Sequence, residues 1–88
     1  MSDTRHRQLS RIYARTLESD DDARDAIRRD PGILASGLFE ECAQSDDVTS
    51  IETARAYLED RLEFLADFVG EEADAVRQAF EARVAAWG

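Results

Sequence analysis

Residues 51–70 read IETARAYLEDRLEFLADFVG, and this stretch decides the fold class. At about 100° per residue, Ile51, Ala54, Tyr57, Leu58, Leu62, Phe64, Leu65, Phe68 and Val69 fill an arc of roughly 160°. Glu52, Glu59, Asp60, Glu63 and Asp67 hold the other side. The period is helical, and the apolar arc is wider than one neighbouring helix needs. It divides into two rows, with Tyr57, Phe64 and Phe68 along one edge and Ile51, Leu58, Leu62, Leu65 and Val69 along the other. Upstream, Thr49 followed by Glu52 has the form of a capping box and predicts the helix start. Downstream, Gly70 is a C-terminal stop, and Glu71 and Glu72 suit the positive end of a last helix carrying Ala73, Val76, Phe80, Val84 and Trp87. One long rod, kinked at Gly70, is the alternative.

The rest of the chain repeats this periodicity. Leu9, Ile12, Tyr13 and Leu17 mark one face of a helix over about residues 4–17, and Arg7, Arg11 and Arg15 form a stripe opposite them. A short helix is predicted over about residues 22–29, after four N-capping residue types from Ser19 to Asp22. Asp30 and Pro31 restart the chain, because proline is pre-organised for the first helical position and aspartate caps free N–H groups. The third helix, over about residues 31–44, carries Ile33, Leu34, Leu38, Phe39 and Cys42. Gly37 in its middle marks either a close approach or a weak point. No alternating β pattern and no repeat is present. The expected fold is all-α: a single domain over residues 1–88, built as a small four- to five-helix orthogonal array or bundle.

With 88 residues and 9.9 kDa, the chain supports one modest core and no large catalytic cleft. Its 11 arginines face 20 acidic residues, giving a net charge of −9, so the surface as a whole repels phosphate backbones and anionic lipid. The absence of lysine and asparagine beside 14 alanines reads as codon pressure from a GC-rich genome. The carboxylate excess also fits a salt-rich cytoplasm, where screening shortens the range of repulsion. Cys42 is the sole cysteine and has no metal-ligand spacing around it, which points to a reducing compartment and away from metal or redox scaffolds. No apolar run approaches the roughly 18 residues of a membrane span. The segment from Ser2 to Arg7 lacks the apolar core of a secretory signal, so a cytoplasmic location without membrane contact is expected.

Charge is distributed unevenly: residues 1–17 carry +3 and the remainder −12. Arg7, Arg11 and Arg15 are therefore candidate anion-binding residues. Neutralisation of acidic helices in the same molecule or a second copy is the favoured role, since the remaining charge opposes a polyanion. Residues 22–44 have the element order of a helix-turn-helix, yet from Pro31 to Gln44 the charges are Glu40 and Glu41 alone, which leaves a recognition helix nothing to offer phosphate. Asp20, Asp21, Asp22 and Asp25 lack the glycine and glutamate positions of a calcium loop and read as a capping cluster, so no metal is expected. His6 and Cys42 are the sole histidine and thiol. They do not make a nucleophile pair, and no catalytic residue, cofactor or enzymatic activity is assigned.

The wide apolar arc then becomes the functional candidate. The expected function is a non-enzymatic intracellular interaction module, an adaptor or regulator that presents an apolar helix face within an acidic surface. Its partner is another protein or a second copy in a homodimer, with Tyr57, Phe64, Phe68 and Trp87 as anchors. The alternative is an acidic inhibitor that imitates nucleic acid through rows such as Glu52, Glu59 and Glu63. A nucleic-acid binder using Arg7, Arg11 and Arg15 with Arg24 and Arg28 is disfavoured by the overall charge.

Overall fold

Residues 4–86 are described in a computed structural model, and every regular element among them is helical. The elements are α1 (Thr4–Tyr13), α2 (Asp20–Arg29), α3 (Pro31–Ala43), α4 (Ile51–Phe64), the single turn α5 (Ala66–Val69), a 3₁₀ turn (Gly70–Glu72) and α6 (Ala73–Ala85). None is long and apolar enough to cross a membrane.

Local chemistry sets each boundary. The first helix ends at Tyr13, short of the expected end at Leu17. There the Arg15 N–H donates to the Ser10 carbonyl at 3.1 Å and the Ala14 N–H to the Arg11 carbonyl at 3.3 Å. Ala14 takes the left-handed conformation at φ 56°, so it occupies the glycine position of a Schellman closure. Leu17 still enters the core, its N–H held by the Ser10 hydroxyl at 2.9 Å. The second helix starts at Asp20, two residues earlier than expected, because Ser19 caps it by accepting from the Asp22 N–H at 3.1 Å. Asp30 serves two helices: its N–H closes α2 on the Ala26 carbonyl, and its carboxylate caps α3 through the Ile33 N–H.

At α4 the capping box is real but lies one residue later than Thr49 and Glu52. Ser50 Oγ accepts from the Thr53 N–H at 3.2 Å, and Thr53 Oγ1 accepts from the Ser50 N–H at 3.0 Å. The helix breaks at Leu65, five residues before Gly70. Gly70 itself stands at φ 53° and ψ −124°, so no continuous rod runs through it and α4 and α6 are separate.

The third helix is central and packs against α1, α2, α4 and α6, most extensively against α6. Leu34, Leu38 and Cys42 join Leu9, Ile27, Leu58, Leu65, Val76 and Phe80 in one core cluster. Phe39 adds an edge-on contact with Phe80 at 5.7 Å. Gly37 proves to be a place of close approach, since a Cβ there would stand 2.6 Å from Cγ2 of Ile12 on α1.

Three outcomes follow for stability in urea. Replacing Ala14 by glycine relieves the left-handed strain, and Ala14→Gly should raise unfolding free energy by about 1 kcal/mol. Gly37→Ala should lower it by about 1–3 kcal/mol through overpacking. Adding Ile12→Ala should make the pair cost less than the sum of the two single changes.

Candidate interaction surface

The arginine stripe of α1 is taken up inside the molecule. Arg11 pairs with Glu41 at 3.0 Å and Arg15 with Asp22 at 3.0 Å, and Arg7 is not free either. Arg5 reaches Asp67 at 3.2 Å and lies over the Phe68 ring at 4.9 Å. His6 meets the Asp20 carboxylate at 2.9 Å through Nε2, while its Nδ1 stands 3.3 Å from the Leu17 carbonyl. The aspartates of α2 go to separate partners: Asp20 to His6, Asp21 to Arg24, Asp22 to Arg15 and Asp25 to Arg29. Among the described residues no three His, Cys, Asp or Glu side chains gather as metal ligands would. Cys42 is fully buried, and burial pushes its thiol up from the ordinary range.

One edge of α4 is different. Tyr57, Arg61 and Phe64 follow one another at helical spacing, and the Arg61 guanidinium lies over both rings, 5.4 Å from Tyr57 and 5.6 Å from Phe64. Tyr57 is half-buried and donates its hydroxyl to Glu41 at 3.3 Å. Burial, and then the Glu41 charge, raise its phenol above the usual range. Phe64 is 40% exposed, and Ile33 at 39% is the other large hydrophobic side chain so placed among the described residues. With Asp60, Arg61 and Glu63 it lines a depression of about 360 Å³. Glu63 also borders a second depression of about 400 Å³, lined by Leu62, Ala66, Val69, Gly70 and Ala73 and by the paired Glu59 and Arg77.

The four anchors named from sequence therefore part company. Phe64 is exposed and Tyr57 sits beside it, both gripped by Arg61. Phe68 is 3% exposed, because the break at Leu65 turns it inward beneath Arg5 and His6. Trp87 lies outside the described residues. Arg61 was missed, although its spacing of four from Tyr57 and three from Phe64 is the signal for a stacked trio. Ile33, assigned to the apolar side of α3, is 39% exposed beside a groove shared with Arg11, Ile12 and Glu41.

Two ion pairs brace α4 against α6. Arg55 donates to both Glu81 oxygens, at 2.7 and 2.9 Å, and Arg77 to Glu59 at 2.7 Å and to Asp74 at 2.9 Å. Hydrogen bonding and charge from Arg55 hold the Glu81 carboxyl below its ordinary value of 4.5. A lowered folded-state value stabilises above the unfolded value and is lost as pH falls through the folded one. The melting temperature should drop as pH is taken below 4.5, with a shallower drop in Glu81→Gln.

Comparison of the chain with protein-family models, curated proteins and solved structures yields no match.

Proposed function

We propose that this protein is a non-enzymatic protein–protein interaction module that binds another polypeptide through the Phe64 end of α4. The observation that carries this reading is Phe64 itself, a large aromatic left 40% exposed and gripped by the Arg61 guanidinium. Stacking limits its rotamers before any partner arrives, which lowers the entropy cost of binding. Carboxylates at the rim favour encounter with complementary charge and disfavour wrong partners.

A partner unlike this chain suits the surface better than a second copy. A two-fold contact sets the same patch against itself, bringing the Asp60 and Glu63 carboxylates of two molecules together on chains of net charge −9. Mimicry of nucleic acid is less well supported, because Glu59 in the acidic row is already held by Arg77. Use of the α1 stripe on nucleic acid is opposed by the pairing of Arg11 and Arg15 within the molecule. The buried lone thiol and the carboxylate-rich surface fit an adaptor or regulator working in a reducing, salt-rich cytoplasm.

The test is Phe64→Ser, an exposed change that should leave helicity intact and stability within about 1 kcal/mol. Sedimentation equilibrium of the wild type should give 9.9 kDa. Immobilised wild-type protein should retain a defined partner from an extract of the source cells, and the serine variant should lose it. Equal retention by both proteins, or a stable wild-type dimer, overturns the reading.

A further inference from the structure

The arrangement of apolar and acidic groups across α4 specifies what kind of polypeptide fits, and this step rests on Phe64 marking the contact surface. We infer that the partner presents a cationic amphipathic helix, laid across the exposed face of α4. Its apolar residues meet Phe64 on one side and Ala66 and Ala73, above buried Leu62 and Val69, on the other, and its lysines or arginines meet Glu63 and Asp60.

Three observations carry this. First, the order of side chains around α4 runs from apolar to carboxylate to aromatic, with Glu63 bordering both depressions. The complement of such a surface alternates apolar and cationic groups, which the face of an amphipathic helix supplies. Second, two of the three rim carboxylates, Asp60 and Glu63, form no ion pair among the described residues, while the third, Glu59, holds Arg77. Third, the same acidic body already seats one helix of this chemistry. The first helix is cationic, buries Leu9 completely, and places Arg5 and Arg11 on Asp67 and Glu41. Charge opposes a second copy or a nucleic acid at the same place, and a small cation leaves Ala66 and Phe64 uncovered.

The experiment is titration of the full chain with a fluorescent synthetic helix of leucine and lysine, matched to the 14 residues of α4. Wild type should bind saturably, and the same helix with glutamate for lysine should not bind. Phe64→Ser should weaken binding by about tenfold, and Asp60→Asn with Glu63→Gln by a similar factor. Asp46→Asn with Asp47→Asn removes equal charge from the exposed loop at the far end of α4 and should change affinity by less than about twofold. Circular dichroism of each variant checks that the helices persist. Equal weakening by the two charge pairs shows unspecific attraction and overturns the inference, as does absence of binding to the wild type. If this helix fails to bind while the partner retained from extract still depends on Phe64, the partner chemistry is wrong and the contact surface stands. If both fail, the surface falls as well.

Discussion

Because Gly37 has no side chain, α1 settles onto α3 until the Ile12 side chain occupies the space a Cβ would take. The rest of the surface depends on that seating. It buries Leu9, and it brings Gln8 and Arg11 to Glu41 of α3 at 2.8 and 3.0 Å. Glu41 is then fixed and half-buried, and it accepts the Tyr57 hydroxyl from α4 as well. A carboxylate with several donors is a firm anchor, since charge-assisted hydrogen bonds are stronger than neutral ones. Tyr57 is held by that anchor, Arg61 stacks on Tyr57, and Phe64 lies under the same guanidinium. Helix contact, polar bridge and aromatic edge thus form one chain of dependence from α1 to α4.

The charge pairs do not hold the molecule together by themselves. Most bridge exposed side chains, and such pairs contribute about 0–1 kcal/mol each, less at high salt. Cohesion comes from the apolar cluster around α3, which salt does not screen. The pairs instead choose among packings. Arg55 and Arg77 set α4 beside α6, while Arg5, Arg11 and Arg15 set α1 across the acidic body. Salt acts in two directions here, relieving repulsion in a chain of net charge −9 while weakening those pairs.

Helical periodicity was legible throughout because apolar spacing is a property of the whole segment. Helix ends were less so, since each turns on one or two residues. Ala14 does the work usually given to glycine, and no residue-type rule flags an alanine in the left-handed region. Leu17 keeps the apolar period because it returns to the core, although the chain leading to it is no longer helical. Thr53 closes the capping box in place of an acidic residue, which shifts the start from Thr49 to Ser50. For the site, the sequence placed Leu58, Leu62 and Leu65 in one row and Tyr57 and Phe64 in the other without saying which row faces inward; the first row is buried, while Phe64 is exposed and Tyr57 half-buried. It put Phe68 in the second row too, because the break at Leu65 has no glycine or proline to announce it.

Phe64 and Phe68 show what the surface is built from. They lie four residues apart, and each has an arginine over its ring, Arg61 in one case and Arg5 in the other. Each also has acidic neighbours, Asp60 and Glu63 for Phe64 and Asp67 for Phe68. The difference is cover. At Phe68 the cation arrives on a separate helix, α1, whose His6 packs edge-on against the ring at 5.2 Å and shuts it from solvent. At Phe64 the cation comes from α4 itself, which turns the ring to one side but brings no second helix over it. A ring covered by a cationic helix and a ring without one sit a single turn apart on the same acidic body. The contact proposed at Phe64 therefore asks of a partner the chemistry that α1 already provides at Phe68.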